Sequence, residues 1–341
     1  GDIGPEASKP VMEGKGLLFK IFADIDVFDI EVGTKDIEEF IATVKNISPT
    51  FGGINLEDIK APESFEIERR LVEELNIPVM HDDQHGTAII SSAALLNAVE
   101  LAGKKMEEVK MVISGAGSAA IACANLYVSF GVKPENVVMF NSKGALRKDD
   151  PRVTDMQRRY ATDKHYDDLA HAMKGADVFI GLSSGDIVTP EMLLSMADNP
   201  IVFAMANPTP EINYNLAIDT RKDIIMATGR SDHPNQVNNV LGFPFIFRGA
   251  LDVQARKINM HMKMAAAKAI ANLAKKPITP DLIASFGNLT YGREYIIPIP
   301  FDKRLMVEVS SAVALGAVET GVARIKDFDL EKYREKLASM I

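Results

Sequence analysis

Two adjacent carboxylates, Asp82 and Asp83, stand in the stretch His81-Asp82-Asp83-Gln84-His85-Gly86-Thr87, directly after the apolar run Ile77-Pro78-Val79-Met80. The run reads as a buried strand, and a small-residue turn then leads into an apolar helix over 88–101. Charged groups at the carboxyl end of a strand lie where open α/β sheets put their ligands. A second acidic pair, Glu57-Asp58, ends another strand-like run over 49–56. Carboxylates gathered at two strand ends repel one another unless a positive charge lies between them, so the pattern asks for a cation. An all-oxygen donor set suits magnesium or manganese better than zinc or copper. Two unrelated acidic turns are the other reading. Lys15 sits at or near the start of a short helix, where the helix dipole disfavours a cation. A lysine so placed either points to solvent or has a depressed pKa and works as a base.

The elements that would position these groups alternate between strand and helix. Residues 25–30 are strand-like, 36–44 form an amphipathic helix, and 63–72 form a helix with acids early and arginines late, as its dipole favours. The strand Lys110-Met111-Val112-Ile113-Ser114 leads into Gly115-Ala116-Gly117-Ser118-Ala119-Ala120 and a helix through Tyr127. This G-x-G-x-x-A turn suits a dinucleotide. The first glycine allows the tight turn, the second lets the pyrophosphate approach the backbone, and the small third residue allows close helix–strand packing. The next strand ends at Asn141-Ser142-Lys143, with Arg147 and Lys148 behind. A neutral residue and cations there, where an NAD site places an acid, suit the 2′-phosphate of NADP; a solvated polar turn is the alternative. Three more strand-like runs, 176–184, 201–206 and 224–229, each stop in small polar residues, with Asn207 ending the second. Thr189-Pro190-Glu191 carries an N-cap, a proline at N1 and a first-turn acid.

With 341 residues the chain has room for two domains, and 47% hydrophobic with 25% charged residues marks an ordinary globular protein. The net charge of −9 argues against nucleic acid or an anionic membrane as partner. No apolar run reaches the length of a membrane span. The opening Gly1-Asp2-Ile3-Gly4-Pro5-Glu6 lacks the basic and apolar regions of a signal peptide, so a cytoplasmic enzyme is expected. Cys123, the single cysteine, reads as a small core residue. Beyond residue 245 the strong segments, 258–276, 305–320 and 330–340, are helical. The expected fold is α/β: a Rossmann-like, doubly wound parallel sheet over 85–240, inserted into a second α/β domain. That second domain comprises 1–84 and a helical part, 241–341, that packs with it.

Taken together, Lys9-Pro10-Val11-Met12-Glu13-Gly14-Lys15, Ile25-Asp26-Val27-Phe28-Asp29-Ile30, Asn55-Leu56-Glu57-Asp58-Ile59, the stretch 81–87, Ala206-Asn207-Pro208-Thr209-Pro210 and Gln236-Val237-Asn238-Asn239 resemble the malic enzyme family, most of all its bacterial-type, NADP-dependent branch. The resemblance implies oxidative decarboxylation of L-malate to pyruvate and carbon dioxide, with NADP (or NAD) and Mg2+ or Mn2+. It implies Lys15 as general base for the C2 hydroxyl, Asp82 as the acid beside it, and Glu57, Asp58 and Asp83 as metal ligands. Asn207 and Asn239 match asparagines that contact the malate carboxylates, with Asn238 beside them. The cofactor would meet Gly115, Gly117, Ser118, Ala119, Ala120, Asn141, Ser142, Lys143 and Asn207. A homodimer or higher homo-oligomer is implied as well. The family also carries an upstream segment with a catalytic tyrosine and part of the dimer surface; this sequence begins after it, and no tyrosine here matches. The rival readings are a related decarboxylating dehydrogenase of another 2-hydroxy acid and a catalytically incomplete NADP-binding sensor.

Overall fold

The computed structural model describes residues 4–341, so the first three residues of the opening stretch lie outside the described residues. The chain forms two compact units. One takes the chain up to Ile89 together with Asn239–Leu273 and Pro300–Ile341; the other takes Ile90–Asn238 and Ala274–Ile299. The chain passes between the units at 89–90, 238–239, 273–274 and 299–300. Residues 274–299, which the sequence groups with the C-terminal helices, pack in the second unit instead: Ala274, Ile278, Leu282 and Tyr295 bury one another there.

In the first unit, α1 (Pro5–Ala23) is followed by α2 (Ile37–Ile47), β1 (Ile54–Leu56), α3 (Glu63–Glu74), β2 (Val79–His81) and the start of α4 (Asp82–Leu101). β1 and β2 pair in parallel, Leu56 opposite His81, so the two acid-bearing strand ends are neighbours. Ile41, Val44, Ile67, Leu71 and Val79 form the core beneath them. Asp36 caps α2 by accepting from the Glu39 N–H at 2.9 Å, and Glu38 and Glu39 complement the dipole in its first turn. Residues 25–30 form no strand. No strand among the described residues pairs with them, and the segment runs irregularly with Phe28 72% exposed. Of the run 49–56 only the last three residues are extended, because Ser48–Thr50 closes a 3-10 turn. No turn precedes α4: it begins on Asp82, with both aspartates in its first turn, where the dipole favours them.

The second unit holds β3 (Met111–Ser114), α5 (Ser118–Ser129), β4 (Val137–Asn141), β5 (Gly144–Ala145), α6 (Asp155–Arg158), α7 (Leu169–Met173), β6 (Val178–Gly181), α8 (Pro190–Ser195), β7 (Ile201–Ala204), α9 (Tyr214–Thr220) and β8 (Ile225–Thr228). The sheet order is β5-β4-β3-β6-β7-β8, parallel except for the antiparallel β5 edge, which the sequence reading missed. Every residue of β3, β6, β7 and β8 is buried, as in a sheet covered on both faces. The strand order reverses between β3 and β6, the place where doubly wound sheets open a ligand crevice. The remaining helices are α10 (Phe243–Asp252), α11 (Met260–Ala274), α12 (Pro280–Phe286), α13 (Arg304–Glu319) and α14 (Leu330–Ala338). Of these α10 and α12 lie outside the helical segments expected at 258–276, 305–320 and 330–340. Helix α10 packs on α1, with Phe19 edge-on to Phe243 and Phe247.

Candidate active site

The charged cluster lies wholly in the first unit. Lys15 Nζ donates to Asp82 Oδ2 at 2.7 Å and lies 3.2 Å from Glu57 Oε2 and 4.3 Å from the centroid of the Phe243 ring. Asn239 Nδ2 donates to the same Asp82 oxygen at 3.3 Å, and its Oδ1 accepts from Thr87 Oγ1 at 3.2 Å. A methyl group on Gly86 would lie 2.1 Å from Asp82 Oδ1 and 2.9 Å from the Asn239 amide, so glycine is what lets these three share the corner. Asn55 Nδ2 donates to Glu57 Oε2 at 3.0 Å, and the Asp58 N–H donates to Asp83 Oδ2 at 2.9 Å. Lys15, Asn55, Glu57 and Asp58 line a cavity of about 530 Å³ walled by α1, the segment 25–36 and β1.

One ammonium here faces three carboxylates, and the electrostatics show the imbalance. Burial pushes Glu57 up to about 9, the charges of Asp82 and Asp83 add to it, and Lys15 opposes. Burial also pulls the Lys15 ammonium down, but Asp82 and Glu57 outweigh it and the pKa is raised. The sequence reading of Lys15 is therefore corrected: it lies in the middle of α1 rather than at a helix start, so the dipole argument does not apply, and it neither points to solvent nor has a depressed pKa, because its partners favour the charged form. Asp82 is completely buried and its Oδ1 has no hydrogen-bond partner, a costly state for a carboxylate oxygen. Excess negative charge on hard oxygens fits a divalent cation of the magnesium or manganese kind. The expected three-ligand set is assembled only in part. The charge of Asp83 lies near enough to Glu57 to raise it, whereas Asp58, in the left-handed region at φ 55°, engages Asp83 through its backbone. Among the described residues no three His, Cys, Asp or Glu side chains converge closely enough to hold a metal ion.

The G-x-G-x-x-A turn lies in the second unit, at the end of β3. Gly115 has φ 122°, and a methyl there would lie 2.6 Å from the Leu182 carbonyl oxygen, so both backbone angle and space demand glycine. Gly117 precedes α5, no side chain caps that helix, and Ser118, Ala119 and Ala120 form its first turn, which presents N–H groups to an anion. Gln157 Nε2 donates to the Ala116 carbonyl at 2.9 Å and steadies the turn from α6. At the crevice, Ser114 Oγ and Ser183 Oγ are 2.7 Å apart. Glu211, fully buried, accepts from the Ser183 and Ala206 N–H groups, each at 3.1 Å, and so ties the ends of β6 and β7 together just before Asn207. Asn141 accepts from the Lys143 N–H at 2.8 Å. Arg147 pairs with Asp149 and Lys148 with Asp163, so of the three cations Lys143 is the one without a salt-bridged carboxylate among the described residues.

Residues 1–72 match the family model described as "Malic enzyme, N-terminal domain", and residues 84–283 match "Malic enzyme, NAD binding domain". The chain belongs to the malic enzyme family. Against the NADP-dependent malic enzyme of Halomonas elongata it is 55% identical over 326 residues, covering 95% of this chain and 77% of that protein. The NAD-dependent malic enzyme of Rhizobium meliloti is 52% identical over 340 residues, 99% of this chain, but the chain spans only 44% of that relative's length. The malic enzyme crystal structure from Pyrococcus horikoshii superposes with a TM-score of 0.90 at 42% identity, over 100% of this chain and 78% of that one. The match to a domain described as NAD binding, over residues 84–283, supports a nicotinamide cofactor.

Of the residues singled out in the sequence, the structure brings Lys15, Glu57, Asp82 and Asn239 into one charged cluster, with Asp83 beside it on the Asp58 N–H. Asn207 and Asn238 belong to the other unit, with Gly115, Gly117, Ser118, Ala119, Ala120, Asn141, Ser142 and Lys143. Sequence reasoning missed Glu68, Phe243, Gln157, Ser183 and Glu211. Gly86 and His85 stood inside the quoted motif, which was the available signal; the others sit in segments that read as solvated helix or apolar core. Cys123 is a buried core residue whose thiol burial pushes up to about 11.

Proposed function

We propose that this chain oxidatively decarboxylates L-malate to pyruvate and carbon dioxide, reducing NADP, with a divalent cation. The observation that carries this reading is the contact of Lys15 with Asp82 and Glu57, with the Glu57–Asp83 carboxyl pair beside it. A divalent ion held by Glu57 and Asp83, with Asp58 adjacent, would supply a Lewis acid for the C2 carbonyl and a positive charge that disfavours the Lys15 ammonium. Lys15, neutral, would accept the proton of the C2 hydroxyl, and NADP when bound would supply the acceptor for the C2 hydride. Asp82 holds Lys15 by its hydrogen bond and stabilises the ammonium that forms. The resulting β-keto acid loses its C4 carboxyl group as carbon dioxide, and the electron pair moves to the C2 carbonyl. Proton transfer to C3 then gives pyruvate, so the hydroxyl proton lost is balanced by the one gained. In the first unit, Asn239 suits a substrate carboxylate because an amide donates hydrogen bonds without adding titratable charge.

NADP over NAD is supported by neutral Asn141 and by Lys143. Overall identity does not discriminate, since relatives named for each cofactor are similar to this chain at nearly equal levels. A homodimer or higher homo-oligomer is supported by the exposed apolar side chains Val11, Leu17 and Ile21 of α1. No helix among the described residues is long and apolar enough to cross a membrane, and a cytoplasmic location accords with a nicotinamide-linked reaction on a small dicarboxylate. The test is spectrophotometric: purified protein, L-malate, Mn2+ or Mg2+, and each cofactor in turn. Malate-dependent NADPH formation is expected; its absence with both cofactors and both metals would refute the reading.

A further inference from the structure

Glu68 lies on α3, in the sequence Glu66-Ile67-Glu68-Arg69-Arg70, and reads as one more member of a solvated, ion-paired face. Its neighbours behave that way: Arg69 pairs with Glu66 and Glu73, and Arg70 with Glu74, at the surface. Glu68 does not. Its side chain is only 13% exposed, Oε1 accepts from the His81 backbone N–H at 2.9 Å, and Oε2 lies 2.9 Å from His85 Nε2. His81 is the last residue of β2 and His85 lies one turn into α4, so a single carboxyl group bridges both sides of Asp82-Asp83. Burial disfavours the charge, but His85 and Lys263 outweigh it and hold the carboxyl at about 2, which keeps both oxygens acceptors.

We propose that Glu68 is the positioning residue of the β2–α4 corner, setting the backbone from which Asp82 meets Lys15 and Asp83 meets the Asp58 N–H. It touches neither reacting atoms nor the carboxylate pair and acts through His81 and His85. The corner needs such a strut because the Lys15–Asp82 and Asp58–Asp83 contacts, at 2.7 and 2.9 Å, tolerate only tenths of an ångström. Misplacing catalytic groups by about 1 Å costs on the order of 10²-fold in rate. A partner that orients a metal-ligating carboxylate typically contributes about 10–100-fold to metal affinity or activity. The proposal rests on the reading of this cluster as the malate site.

The experiment compares Glu68→Leu and Glu68→Gln with the parent chain in four measurements. These are hydrogen exchange of the backbone over 79–87, Mn2+ titration without substrate, NADPH titration, and steady-state kcat and KM for malate. Leucine fills the space but accepts nothing, whereas glutamine keeps an oxygen for the His81 N–H, and His85 can change tautomer to match the amide. The expected result for Glu68→Leu is faster exchange confined to 79–87, Mn2+ affinity and kcat lowered about 10–100-fold, and NADPH affinity unchanged. Glu68→Gln should restore most of each. Parent-like exchange and kcat in Glu68→Leu would overturn the proposal. So would a Glu68→Gln variant as impaired as Glu68→Leu, or a parallel loss of NADPH binding, which marks general damage. If the parent itself does not oxidise malate, the functional reading fails on its own, and the exchange over 79–87 still decides the role of Glu68.

Discussion

The two units solve opposite electrostatic problems at the ends of their strands. In the first, a sheet of only two strands carries Glu57, Asp58, Asp82 and Asp83 at its edge, and Lys15 gives partial compensation. In the second, the six strands end in small or uncharged residues (Ser114, Asn141, Ala145, Gly181, Ala204 and Thr228), and the groups offered to an anion are the backbone N–H groups at the start of α5. Buried glutamates serve both, in different ways. Glu68 stays ionised because His85 and Lys263 stand near it, whereas Glu211, held by backbone N–H groups, is raised by burial all the same. The lesson is that proton transfer calls for charges of opposed sign held close together. Holding an anionic cofactor calls instead for clear space and oriented dipoles.

If this division is right, damage to one edge should spare the other. Lys15→Ala should lower kcat for malate by about 10²–10⁴-fold, the range for loss of a positioned base, with NADPH affinity unchanged by fluorescence titration; equal loss of both would break the comparison. Asp83→Asn should weaken Mn2+ binding in calorimetric titration about 10–100-fold, the scale on which groups that set up a metal site act, again with NADPH affinity intact. Gly181→Ala is the converse. Its methyl would lie 2.2 Å from the Glu211 carboxyl carbon, so NADPH binding and thermal stability should fall, by about 1–3 kcal/mol of overpacking, while Mn2+ affinity stays.

Two smaller effects sharpen the contrast. Asn141→Asp should shift the kcat/KM ratio from NADP towards NAD by about tenfold, the worth of one charge-assisted hydrogen bond; an unchanged ratio would remove Asn141 from cofactor selection. Lys263 tests the first unit's charge balance. Burial, opposed by Glu68, pushes it down to about 8 from 10.5. Between those values the unfolded chain keeps a proton that the folded chain has released, so stability should rise with pH across that window. Below pH 8 both states are protonated and the buried charge is fully destabilising. Lys263→Met should flatten that rise and lift Tm near neutral pH by about 2–4 °C, as read by thermal scans from pH 7 to 10.

What the sequence made legible was what depends on neighbours in the chain. Gly115 declares itself because a tight turn between strand and helix forces φ into the left-handed half of the map. The Thr189 cap and the parallel strands follow from local pattern in the same way. The Lys15 environment did not follow. A local dipole argument left solvent exposure and a depressed pKa as the alternatives and placed Lys15 at a helix start, but Lys15 lies in the middle of α1 and the group that decides the matter, Asp82, lies 67 positions along the chain. Glu68 was hidden for a similar reason: a helix of glutamates and arginines looks uniformly solvated until the fold shows which one turns inward. Residues 25–30 show the reverse error, since apolar alternation predicts a strand only if another strand is there to pair with it.

The amide of Gln157 reaches from a four-residue surface helix to the carbonyl of Ala116, inside the glycine-rich turn. On the proposed cofactor site, a pyrophosphate entering that turn would be felt at the protein's exterior through this single side chain. A fluorophore on the exposed neighbour Met156 would serve as a gauge of cofactor loading, readable without turnover and without touching any group that does chemistry.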